Sequence, residues 1–134
     1  IAGPAPEGTD EVAGSLAPIF DMLEQLEHQY FGDETPEEVV YYHMLMGSVY
    51  KEYAGNKVTE HMLKKAEELA GKAGFKRSFV EATSPPSQFI FKNRTTYQER
   101  TRLLYADYRF NGSRPFAGIN EVSHCILFDK PLHI

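Results

Sequence analysis

Val39-Val40-Tyr41-Tyr42-His43-Met44-Leu45-Met46 and, one amphipathic segment later, Glu81-Ala82-Thr83-Ser84-Pro85-Pro86-Ser87-Gln88 decide how this chain is read. The first stretch is β-branched and aromatic at its start and apolar but for His43. That predicts a strand over Val39–Met46, buried on both faces in the middle of a mixed sheet. Gly47-Ser48 marks a bend after it. From Thr59 to Ala73, Met62, Ala66, Leu69, Ala70 and Ala73 form a stripe at helical spacing. Lys64, Lys65, Glu67, Glu68 and Lys72 lie mostly off that stripe. Gly74 is placed as the helix stop, and Phe75–Thr83 reads as the next strand. Pro85-Pro86 can open a short helix to about Asn93, because proline is accepted in a first turn.

Working outward, Ser15 can cap a helix through Tyr30, with Leu16, Ile19, Phe20, Leu23, Leu26 and Tyr30 on one face. Glu24 and Glu27 fall on the opposite face, and Gly32 ends the helix. The acidic polar face would be repelled by anionic lipid, so the stripe reads as core or interface. Residues 1–14 read as a flexible acidic arm, rich in Gly, Ala and Pro at its start. Downstream, Leu104, Ala106, Tyr108 and Phe110 alternate with Leu103, Tyr105, Asp107 and Arg109, which predicts a half-buried strand. Tyr105 and Tyr108 can line a pocket, but the alternation makes one of them core. Asn111-Gly112 is a tight-turn signal, and Cys125–Phe128 is a last short strand. The element order predicts an α/β (α+β) domain over residues 15–134, with a mixed sheet and flanking helices.

Composition bounds the function. With 134 residues, 42% hydrophobic, the chain can bury a real core. No apolar run approaches the roughly 18–20 residues of a membrane span, so no direct membrane insertion is expected. The single cysteine, Cys125, excludes an internal disulfide and a cysteine zinc site. A reducing compartment follows as the expectation: cytoplasmic or organellar interior, not secreted. Cys125 has no base beside it in sequence and reads as a packed thiol rather than a nucleophile. Residues 1–38 hold ten acidic residues and no Lys or Arg, whereas residues 39–134 hold nine acidic and fourteen basic ones. A basic body suits an anionic, multiply phosphorylated ligand. It does not suit nucleic acid, because the basic residues are scattered. His28, His61, His124 and His133 are dispersed and offer no metal-ligand pair, so no metal is expected.

The order and spacing of these segments resemble the GNAT superfamily of acetyl-CoA-dependent N-acetyltransferases, closest to its arylalkylamine and polyamine-like members. The resemblance runs from about Leu16 to Leu132. Leu16–Met46 is similar to the helical insertion and fourth strand of that fold. Val49–Val58 is similar to its cofactor loop, and Glu81–Thr83 with Ser87-Gln88 to its fifth strand and fourth helix. Leu104–Tyr108 with Asn111-Gly112 and Pro115–Ile119 resembles the sixth strand and its exit, and Cys125–Leu132 the seventh. This corresponds to the C-terminal part of the fold, with a mostly antiparallel sheet. The earlier strands and helices have no counterpart in residues 1–15, so a missing N-terminal half or a protein partner is expected.

The resemblance implies a set of site residues. Leu45 and Met46 would hydrogen-bond the pantetheine arm of acetyl-CoA. Backbone N–H groups of Tyr53, Ala54, Gly55, Asn56, Lys57 and Val58 would take the pyrophosphate. Ser87 would bond the cofactor or a catalytic water, or serve only as a helix-start hydroxyl. His43 would relay a proton beside the thioester, or be a buried structural histidine. The two strands should part to admit the cofactor. Several positions depart from the family pattern: Glu52 and Lys57 at loop anchors, Ala54 before the glycine, Ser84 at the helix opening, and Phe91 where a tyrosine acid often stands. Two functions remain open, and an acyl-CoA sensor that binds without catalysis lies between them. One is N-acetyl transfer to a small primary amine. The other is a catalytically degenerate GNAT-like protein serving as a structural or assembly subunit.

Overall fold

The computed structural model describes residues 6–32, 40–45 and 47–132, with the backbone alone of residues 12 and 13. Helices α1 (Thr9–Ser15) and α2 (Ala17–Phe31) lead into strand β1 (Tyr41–Met44). Then come α3 (Val58–Lys72), β2 (Arg77–Ala82), α4 (Pro85–Asn93), β3 (Gln98–Leu104) and β4 (His124–Pro131). The strands form one mixed sheet in the order β1-β2-β4-β3. β1 and β2 are parallel, joined through α3 as a parallel pair requires. The β2–β4 and β3–β4 pairs are antiparallel.

Alternation along β2 and β4 splits the core into two faces. Phe79, Cys125 and Leu127 join Met22 and Leu26 of α2, together with Tyr105 and Tyr108. Val80, Ala82, Ile126 and Phe128 join Leu63 of α3, Phe91 of α4 and Tyr97. The fold is therefore three layers: α2, the sheet, then α3 and α4.

Several expectations are corrected. β1 is shorter than Val39–Met46, is half-buried, and lies at a sheet edge, pairing only with β2 among the described residues. Its apolar run is explained by aromatic cover on each side. Tyr41 packs edge-on against Tyr30 and Phe31, and Tyr42 against Phe75. Residues 9–14, read as part of an arm, are helical in α1. Thr9 Oγ1 donates to the Pro6 carbonyl at 2.6 Å there. Ser15 sits at the end of α1, and α2 starts beyond it with Leu16 at the cap position and Pro18 in the first turn. The buried face of α2 centres on Met22 and Leu26, leaving Leu16 and Phe20 exposed.

The buried face of α3 is turned one residue from the expected stripe. Leu63 and Ala70 are buried, while Met62 and Leu69 are about half exposed. Glu67 is tolerated on that face because Lys130 of β4 donates to it at 2.8 Å, with the ammonium over the Tyr97 ring. β3 begins at Gln98, well before the alternation at Leu103–Phe110. Its residues are mostly polar because it is an edge strand with exposed faces, which blunts unwanted pairing. Past Leu104 the chain turns, so both Tyr105 and Tyr108 reach the core rather than one. Asn111 and Gly112 have φ of 49° and 80°, and Phe110 and Ser113 exchange backbone bonds of 2.9 and 3.0 Å. That is the two-residue turn their sequence predicts.

Candidate acyl-transfer site

Parallel pairing of β1 with β2 ends at Met44–Val80, although β2 continues through Glu81 and Ala82. Leu45 is already 75% exposed. Met46 lies outside the described residues. The chain then makes one 3-10 turn over Lys51–Tyr53 and enters α3 through Ala54, Gly55, Asn56 and Lys57. Gly55 has φ of +84°, a conformation L side chains rarely adopt, so the glycine is required there. Asn56 Nδ2 donates to the Tyr53 carbonyl at 3.1 Å, closing the loop on itself. Lys57 is left-handed, with φ of 57°, and caps α3 with no side-chain hydrogen bond. The backbone donors of the first turn, from Val58 onward, are therefore not taken by a capping side chain. Tyr53, Ala54, Gly55, Asn56, Lys57 and Val58 fall together in this one segment, at the start of a 15-residue helix.

Ser87 is occupied in the helix start itself. Its Oγ accepts from the Ser84 N–H at 3.3 Å and donates to the Ser84 carbonyl at 3.0 Å. Pro85 and Pro86 carry no N–H, so α4 presents few free donors at its own start. Gln88 ties the two strands beside it, donating to Ala82 at 3.0 Å and to His124 at 2.6 Å through carbonyl oxygens. Phe91 is buried against Tyr97 and Phe128, away from any titratable role.

His43 lies where the two strands cease to pair. Its ring stacks on Phe79 with centroids 4.3 Å apart and planes 10° apart. Its Nε2 is 2.6 Å from Glu81 Oε2 and 3.8 Å from Glu27 Oε1. Three elements thus supply the group: α2, β1 and β2. Sequence reasoning missed both carboxylates. Glu27 borders Leu26 and reaches towards His43 of β1, with about a third of its side chain left in solvent. Glu81 shares the face of Phe79, so a carboxylate at an inward strand position was the available signal.

The electrostatics of the group are mutual. Burial raises the Glu27 carboxyl, helped by its hydrogen bond to Glu81 and that group's charge, to about 8. Desolvation pulls His43 down, but the hydrogen bond and charge of Glu81 outweigh it and leave the imidazole raised. Desolvation pushes Glu81 up, and the His43 and Glu27 hydrogen bonds with the His43 charge leave it lowered. The Glu81 side chain is only 4% exposed, and its Oε1 is buried with no hydrogen-bond partner among the described residues.

Beyond β2, Thr83, Ser84 and Pro85 face Gly118–Val122 across a groove of about 470 Å³. Tyr105 donates to the Thr83 carbonyl at 2.8 Å. Cys125 is fully buried, and desolvation pushes its thiol up to about 12. A thiol-specific disulfide reagent at pH 8 should therefore leave native Cys125 unmodified and label it fully in denaturant. Rapid labelling of the native chain would contradict this burial.

No family model and no curated protein matches the chain. Solved structures do. The C-terminal condensation domain of Ebony, in complex with β-alanyl-dopamine, is 22% identical over 87% of this chain and 56% of that one, with a TM-score of 0.75. Arylalkylamine N-acetyltransferase 2 of Aedes aegypti is 21% identical over 89% and 55%, with a TM-score of 0.70. The Drosophila melanogaster polyamine N-acetyltransferase that forms N-acetylagmatine is 18% identical over 89% and 56%, also at 0.70. The chain has a GNAT-like fold. It spans about half the length of the solved structures it matches.

Proposed function

We propose that this chain holds the acyl thioester in a GNAT-fold acetyltransferase, with acetyl-CoA as donor and a small primary amine as acceptor. The observation that carries the reading is the placing of His43, Glu81 and Glu27 at the point where β1 and β2 cease to pair. A parting of parallel strands leaves backbone groups free for an extended pantetheine arm. The reaction then needs a group that takes the ammonium proton. The amine nitrogen forms a bond to the thioester carbonyl carbon, the C–S bond breaks with its electron pair leaving on the CoA thiolate, and His43 accepts the proton that the nitrogen loses. Glu81 holds the imidazole and balances the imidazolium charge. The ionised Glu81 beside the histidine also favours a cationic amine over a neutral acceptor. The segment Tyr53–Val58 would take the pyrophosphate at the α3 N-terminus, where dipole and donors converge. Glu52 and Lys57 reshape that segment relative to the family pattern, so weak cofactor affinity is expected.

Calorimetric titration with acetyl-CoA tests this. Saturable binding is expected, weakened when Gly55 is replaced by Val, which the local φ disfavours. No heat at millimolar cofactor would overturn the proposal.

A second reading, a degenerate GNAT-like subunit, is favoured by Glu52 and Lys57 at the phosphate segment and by the edge of β1, which pairs only with β2 among the described residues. In both readings a preceding segment or a protein partner pairs with that edge and completes the amine site. No helix among the described residues is long and apolar enough to cross a membrane. The compartment proposed remains the cytoplasm or an organellar interior.

A further inference from the structure

We propose that Glu27, His43 and Glu81 form a site for one divalent transition cation of the Zn²⁺ type. One imidazole nitrogen and two carboxylate oxygens lie within 4.8 Å of one another. Nitrogen with oxygen donors suits a borderline cation such as Zn²⁺, at metal–ligand distances of about 2.0–2.2 Å. Two ligands at about 2.1 Å in a tetrahedral set lie roughly 3.4 Å apart, so the three atoms need shifts of only about an ångström to close on a cation.

The second observation is independent of the cluster's composition. Glu81 is held almost wholly inside the protein, yet Oε1 of its carboxylate meets no donor among the described residues. A buried carboxylate oxygen without a donor is costly, and a cation satisfies it directly. The rest of the arrangement is preorganised for the same purpose. Phe79 fixes the plane of the His43 ring, and His43 sits on a strand rather than a loop. His43 and Glu27 each keep about a third of their side-chain surface in solvent. That gives the cation an entry path and leaves room for water as the fourth ligand.

The rival occupant is a proton shared between Glu27 and Glu81, which would satisfy the same oxygen. The two differ in whether a metal binds. The site does not depend on acetyl transfer. If the chain is also an acetyltransferase, a cation on His43 Nε2 replaces the contact with Glu81 that holds the imidazole in that reaction.

The test is calorimetric titration of the chain with ZnCl₂, paralleled by Co²⁺ absorption in the visible. One equivalent is expected to bind, with Co²⁺ bands of low coordination number. His43→Gln and Glu81→Gln should each weaken binding at least about tenfold, since each removes a ligand. His124→Gln, outside the cluster, should leave it unchanged. His43 is partly exposed, so its variant provides the test if Glu81→Gln fails to fold by circular dichroism. The absence of saturable Zn²⁺ binding would assign the cluster to a shared proton and overturn the proposal. Equal binding by wild type and His43→Gln would also overturn it.

Discussion

Asp129→Ala is expected to lower the stability of the fold by about 3–5 kcal/mol, a large share of the roughly 5–15 kcal/mol a domain has to lose. Asp129 is 1% exposed in β4, opposite Phe79 of β2. Its Oδ2 accepts from the Tyr30 hydroxyl at 2.5 Å and from Arg77 Nη2 at 2.9 Å, and Arg100 Nε lies 3.6 Å from Oδ1. One carboxylate therefore ties α2, β2 and β3 to the central strand. Alanine leaves the Tyr30 hydroxyl without its acceptor in a half-buried site and leaves Arg77 facing a void. Asp129→Asn keeps an acceptor and should cost clearly less. Urea unfolding monitored by circular dichroism measures both, with a lower midpoint and an unchanged slope. A loss below about 1 kcal/mol for the alanine variant would show that the arginines gain as much from water as from Asp129.

The second large effect concerns turnover. Under the proposed function, His43→Gln should reduce the rate of acetyl transfer to a primary amine by about 10²–10⁴, the usual worth of a positioned proton acceptor. Glutamine is close in size and can hydrogen-bond Glu81, so the fold should survive, but it cannot accept a proton. KM for acetyl-CoA should stay within about a factor of two, because the loss falls on the transition state and not on cofactor binding. Glu81→Gln should also lower kcat, since the amide holds the ring without balancing its charge. A His43→Gln chain as active as wild type would remove His43 from the mechanism. Equal losses in acetyl-CoA affinity and rate would mark it as structural.

The element types were largely readable because most depend on neighbours in sequence. Pro85-Pro86 with Ser84, Gly74 after α3, and Asn111-Gly112 act through local backbone geometry, and each falls where its chemistry predicts. Errors arose where a distant partner overrides the local pattern. Glu67 looks like a solvent residue until Lys130 reaches it across the sheet. β3 looks like no strand at all, because an edge strand needs no apolar face. The site shows the same division. The segment proposed for the pyrophosphate, Tyr53–Val58, is contiguous, and its glycine and the helix that follows are visible in the sequence. The His43–Glu81 contact joins positions 38 residues apart, and it exists only because β1 and β2 run parallel. Alternation alone marks Glu81 as inward-facing, but no local pattern says what it meets there.

The place of β4 in the sheet has a consequence for biosynthesis. β2 and β3 never touch each other as neighbouring strands; each pairs with β4, which follows both in the chain. Cys125 and Leu127 complete one core face, and Ile126 and Phe128 the other. During translation, which delivers the chain from its N-terminus, the helices and the β1–β2 pair can form early. The remaining half of the sheet must wait for residues 124–131 to clear the ribosome. Until then the edge of β2 that pairs with β4 stays open and both core faces lack the residues that β4 supplies, so the nascent chain is a natural client for a holding chaperone. A ribosome stalled before Cys125 would present a protein whose central strand has not yet been made.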